Sequence, residues 1–81
     1  MEKLKTASGL EFDCDMVSVI PSPPRCYLHI RNTPLVTIVS VFSNPGETEQ
    51  LWHGGNYISG FTKLQAVSDD DGAYRVTLRK E

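Results

Sequence analysis

Gly9 and Gly72 each close a short polar run, and each is flanked on both sides by residues that alternate apolar and polar. A glycine at the end of a three-residue loop supplies the left-handed backbone that a type I turn with a G1 bulge requires, so both positions predict antiparallel hairpins. In the first, the loop Ala7-Ser8-Gly9 sets Leu4 opposite Phe12, Lys5 opposite Glu11 and Lys3 opposite Asp13. Apolar faces apolar and each charge faces its opposite, whereas a two-residue loop would set Lys5 against Phe12. In the second, the loop Asp70-Asp71-Gly72 sets Leu64 opposite Leu78, Ala66 opposite Val76 and Ser68 opposite Tyr74.

Between the hairpins the pattern changes twice. Leu10, Phe12, Cys14 and Met16 share one strand face and Glu11, Asp13 and Asp15 the other, a half-buried strand. From Met16 to Ile20 the alternation weakens, with Val17 and Val19 on the formerly charged face, which predicts that both faces are covered there by the helix. Pro21-Ser22-Pro23-Pro24 interrupts the ladder, because three of its four residues lack an N–H. A third strand then places Cys26, Leu28 and Ile30 inward and Tyr27, His29 and Arg31 outward. Leu35, Ile38, Val39 and Phe42 fall at i, i+3, i+4 and i+7, predicting a helix over about residues 34–43, with Thr33-Pro34 as its cap and first turn and Asn44-Pro45-Gly46 as its stop. Short strands follow at Glu49 to His53 and, after a Gly54-Gly55-Asn56 turn, along one long strand from Tyr57 to Val67, with Gly60 as a bulge or packing contact. Ala73 to Arg79 closes the chain.

The expectation is an α+β fold: a small antiparallel sheet of about five to six strands built from hairpins, with one helix on one face. Its 81 residues form a single domain, residues 1–81. Forty per cent hydrophobic and 22% charged residues exclude a disordered or low-complexity chain. No signal-peptide pattern or apolar run of membrane-spanning length occurs, which predicts a protein that does not enter a membrane.

Chemistry is sparse. Cys14, Cys26, His29 and His53 are spaced C-x11-C-x2-H-x23-H, without the close ligand pairs of zinc fingers. If residues 21–25 turn the second strand onto the third, Cys26 lies near Ile20 and Cys14 near Asn32, about 20 Å apart, too far for a disulfide. Two reduced, buried thiols follow. Glu11, Asp13 and Asp15 read as an ion-pair ladder with Lys3 and Lys5 rather than an acid–base pair. Asp69-Asp70-Asp71-Gly72 lacks the spacing of a calcium loop. No nucleophile elbow, phosphate-cradling loop or catalytic cysteine context is present, so no enzyme, cofactor or metal is expected.

Recognition remains. Trp52, His53, Asn56 and Tyr57 surround a tight turn and include the chain's one tryptophan, a composition suited to contact with a partner, although Trp52 equally suits a core. Pro21-Ser22-Pro23-Pro24-Arg25 looks like a short polyproline ligand but serves as an inter-strand loop. Arg25, Arg31, Arg75, Arg79, Lys63 and Lys80 converge only if the closing hairpin lies beside the third strand; a net charge of −2 weighs against a dedicated nucleic-acid binder.

The runs Lys5 to Asp15, Val41 to Thr48 and Tyr57 to Leu64 resemble short uncharacterised proteins of bacteriophages and prophages of Gram-positive bacteria. The resemblance spans most of the chain. It implies a mobile-element origin and a cytoplasmic setting in a bacterial host, favours a helix after Pro34, and carries over no catalytic or binding residue. The expected function is a non-catalytic protein-interaction module of phage or mobile-element type, in assembly or regulation. The alternative is a small inhibitor of a host defence system that binds a protein component or sequesters a nucleotide signal. A protein partner is expected under the first reading, and a homo-oligomer remains open.

Overall fold

The computed structural model describes residues 2–80 and is an α+β domain. β1 (Lys3–Lys5), β2 (Glu11–Pro21) and β3 (Pro24–Arg31) precede α1 (Leu35–Phe42) and the one-turn α2 (Pro45–Thr48). β4 (Gln50–His53), β5 (Asn56–Ser59), β6 (Lys63–Asp70) and β7 (Ala73–Arg79) follow. One antiparallel sheet has the order β5-β4-β1-β2-β3-β7-β6.

The two edge strands of that sheet are consecutive in sequence. Laid flat, six inter-strand gaps separate β5 from β6 by about 29 Å. The link through Gly60, Phe61 and Thr62 reaches at most about 15 Å. The sheet must therefore curl until its edges approach. Its inner face becomes the core: Leu4, Phe12, Cys14, Cys26, Leu28, Ile30, Leu51, Ile58, Val76 and Leu78, sealed by Ile38 and Phe42 of α1 and by Phe61 of the link. Phe42 lies against Phe12 with ring centroids 5.4 Å apart.

The first hairpin has the expected register, with Gly9 at φ +97° and Leu4 against Phe12. The second differs. Its loop is the two residues Asp71 and Gly72, both at positive φ, the backbone of a type I′ turn whose twist matches the strands. Val67 therefore faces Val76, and Asp69 rather than Ser68 faces Tyr74; a bulge between Leu64 and Ala66 restores the expected pairing of Leu64 with Leu78.

A second bulge reorders β2. Asp15 is the extra residue, so Met16 turns outward opposite His29 and Val17, not Met16, follows Cys14 inward. Two donors satisfy the carbonyls there: His53 Nε2 bonds the Cys14 oxygen at 2.8 Å and Cys14 Sγ the Met16 oxygen at 3.2 Å. The weakened alternation thus marks a change of face, not coverage of both faces: Met16 is 46% exposed, and Val19, Ile20 and Leu10 are exposed as well. The ladder continues to Pro21 opposite Pro24, so the turn is only Ser22-Pro23, whose peptide is cis. That shorter turn pairs Cys26 with Val19, and together with the Asp15 bulge it pairs Cys14 with Ile30; both thiols are free and buried.

The expected long strand from Tyr57 to Val67 breaks at Gly60 (φ +85°), which makes seven strands rather than five or six. Gly60 N–H bonds the Glu49 oxygen, ending the β4–β5 ladder before Phe61 turns into the core. Asn56 belongs to β5, opposite His53, so Gly54-Gly55 alone make that turn. Pro34, not Thr33, caps α1: its carbonyl accepts from Thr37 and Ile38, while the Thr33 hydroxyl bonds the Arg31 oxygen. Ser43 caps the end of α1, and the expected stop Asn44-Pro45-Gly46 instead opens α2, with Asn44 as its cap accepting from Gly46 N–H. Only half of the expected stripe is buried, because α1 meets the core along Ile38, Val41 and Phe42; Leu35 and Val39 remain exposed and Val36 is 75% exposed.

Burial predicts the response to truncation. Phe42→Ala should cost about 3–5 kcal/mol, seen as a lower urea midpoint with an unchanged slope. Val36→Ala should change stability by less than about 0.5 kcal/mol.

Candidate binding surface

The outward side chains form a second surface with its own order. At one end, Tyr57, Trp52, Lys5 and Glu11 lie in a cross-strand row over β5, β4, β1 and β2. Trp52 and Tyr57 pack against each other with ring centroids 5.5 Å apart and planes tilted by 40°; Tyr57 is 55% exposed and Trp52 half-buried. Beside Trp52 a groove of about 450 Å³ is lined by Lys5, Thr6, Ala7, Ser8, Gly9 and the indole. Its turn wall is fixed by Glu47, whose carboxylate accepts from Ser8 N–H (3.2 Å) and Ser8 Oγ (2.8 Å), and whose backbone oxygen accepts from Ala7 N–H. The Ser8 and Thr6 hydroxyls hold the Glu47 carboxyl below its usual range.

The four residues expected at this turn therefore divide. Trp52 and Tyr57 form the aromatic wall and Asn56 is exposed at the edge, but His53 points inward. A carbonyl only accepts, so the His53 Nε2 that meets the Cys14 oxygen carries the proton; Nδ1 lies 3.5 Å from Glu2. His53 braces the β2 bulge rather than facing a partner. Sequence reasoning missed Lys5 and the Thr6–Gly9 turn as neighbours of Trp52, since only the pairing of β1 with β4, remote in sequence, brings them together.

The outer face of β2, β3, β7 and β6 carries a polar network. His29, with a 12% exposed side chain, lies between two carboxylates, Asp15 at Nδ1 and Asp70 at Nε2 (3.3 Å). Arg31 Nε bonds the second Asp15 oxygen at 2.8 Å, and Arg75 lies 3.8 Å from Asp70. Asp13 pairs with Lys3 and accepts from Asn32 at 2.8 Å. The expected ladder is thus only partly formed: Asp13 meets Lys3, while Asp15 reaches across to β3. The Arg31 and His29 hydrogen bonds lower the Asp15 carboxyl to about 2.

Cys14 and Cys26 face the core, His29 the outside and His53 the bulge, and among the described residues no three His, Cys, Asp or Glu side chains are placed to hold a metal ion. Burial raises the Cys26 thiol to about 12, so it is not a nucleophile near neutral pH. Among the described residues no helix is long and apolar enough to cross a membrane. No protein-family model, curated protein or solved structure matches the chain.

The Asp15 network generates a pH dependence. A carboxyl with a depressed folded-state pKa stabilises the fold above its unfolded value of 3.8 and loses that contribution as pH falls toward about 2. Asp15→Asn should therefore flatten the fall of urea midpoint between pH 4 and pH 2 relative to the unsubstituted protein.

Proposed function

We propose that the chain is a non-catalytic protein-interaction module that holds an extended segment of its partner along the free edge of β5, with a partner side chain seated beside Trp52. One observation carries this reading: an aromatic pair stands outward on an edge hairpin, next to a groove whose far wall is pinned by Glu47. Trp52 and Tyr57 provide contact area with few rotatable bonds, and an edge strand offers unpaired backbone groups to a second chain. Lys5 has no ion pair among the described residues, so the favoured partner segment combines an apolar or aromatic side chain with an acidic one. The resemblance to phage-type proteins supports placing the module in assembly or regulation within a bacterial host. Blocking a host defence protein would use the same contact, and the identity of the captured partner separates the two roles.

The chain's one tryptophan makes the test site-specific. Immobilised protein is exposed to host lysate, the captured protein is identified and purified, and its binding is followed through Trp52 emission. Tyr57→Ala should weaken binding at least tenfold without changing the urea midpoint, and Lys5→Glu should weaken it further. Affinity unchanged in both variants would overturn the reading.

A further inference from the structure

The two edges of the sheet differ in length and in charge. β5 is four residues long and uncharged, whereas β6 is eight residues long, and its middle, Ala66-Val67-Ser68, carries neither charge nor proline. The open backbone groups of β6 follow from its pairing with β7. Asp70 faces Ala73 across a two-residue turn, which makes that pair hydrogen-bonded, and the antiparallel ladder alternates from there. Asp70, Ser68 and Ala66 therefore direct their N–H and C=O to β7, while those of Asp69 and Val67 point to the open edge. Among the described residues no other backbone group bonds to either. Val67 is half-buried, and Ala66, Ser68 and Asp69 are exposed.

Charge along this hairpin is ordered end to end. Asp69, Asp70 and Asp71 follow one another at the turn. Arg79 stands at the other end of β7, about 20 Å away, with Arg25 opposite it on β3. Charges commonly keep an edge strand from pairing, but opposite charges at its two ends discriminate between partners. A copy laid parallel would set acid against acid. A copy laid antiparallel sets the acidic end of each chain toward the basic end of the other.

We infer that β6 pairs with β6 of a second copy of this chain, antiparallel about a twofold axis at Ser68, joining the two sheets edge to edge. This register sets Val67 of each chain opposite Asp69 of the other. Each such pair exchanges two N–H···O=C bonds, so the open groups of both residues on both chains are all used. Ser68 faces its own copy as a non-hydrogen-bonded pair, and Asp71 of one chain lies along Gln65 of the other, on the side that leads to Arg79. The bulge between Leu64 and Ala66 falls outside this centre. The contact is isologous and closes at two copies. Both β5 edges stay open, so the dimer presents two Trp52 surfaces and does not depend on what those surfaces bind.

The test is sedimentation velocity of the full chain from about 1 to 200 μM, which should show a monomer–dimer equilibrium and no larger species. Ser68→Cys should cross-link to its copy under oxidised glutathione, because a non-hydrogen-bonded pair sets the Cα atoms about 4.5 Å apart, within disulfide reach. Gln65→Cys, about 20 Å from its copy in this register, should not; Cys14 and Cys26 are buried and do not compete. Asp69→Pro removes an outward N–H while keeping every bond to β7, so it should weaken dimerisation at least about tenfold and leave the circular dichroism of the monomer unchanged. Arg79→Glu should weaken it at least about threefold and reduce its loss with rising salt. A monomer throughout, cross-linking of Gln65→Cys as fast as Ser68→Cys, or a folded Asp69→Pro variant that dimerises normally would overturn the inference. Assemblies that keep growing with concentration would show β6 pairing with β5 of the next copy and would also overturn it. Should Asp69→Pro not fold, the two cysteine variants decide.

Discussion

The three residues between β5 and β6 govern the architecture. They join the outermost strands of a seven-stranded sheet, and a chain that short cannot cross a flat sheet. Curling gives the inward side chains a common interior large enough for the domain, with α1 and Phe61 closing what the sheet leaves open. It also turns one flat face into a wide outer surface on which side chains of non-neighbouring strands diverge. Gly60 supports this by adopting φ +85° where the chain leaves one edge for the other.

The outer surface is divided by the bulge at Asp15. Without the extra residue, Met16 would follow Cys14 into the core and Val17 would stand outside. With it, Asp15 meets His29 and Arg31, and Met16 joins Ser18 and Tyr27 around a groove. The bulge frees carbonyls inside the fold, and His53 and Cys14 donate to them. A buried polar atom without such a partner costs about 1–3 kcal/mol. The inward turn of His53 is therefore tied to the same irregularity that shapes the distant side of β2, which explains why a histidine placed between Trp52 and Tyr57 in the sequence does not join their surface.

Local chemistry was readable and long-range pairing was not. The first hairpin could be registered because opposed apolar and charged pairs agree with one loop length; α1 could be placed because its apolar spacing is helical. The second hairpin misled by one residue near its turn, because Asp-Gly serves either a two-residue type I′ loop or a longer loop, and the compensating bulge at Gln65 leaves Leu64 and Leu78 paired under both. The break at Gly60 was hidden because a single glycine inside an alternating run signals a bulge as readily as an end. The strand order, which sets Lys5 beside Trp52 and Arg79 between Arg25 and Lys63, has no local signature at all.

Cross-strand pairing explains how a nearly neutral chain sorts its charges. Each acid on the outer face of β2 and β6 that meets a cation does so in the rows near the Asp71-Gly72 turn, where Arg31, His29 and Arg75 are held. The rows four residues further along β3 and β7 place Arg25 opposite Arg79, and Arg79 opposite Lys63 of β6.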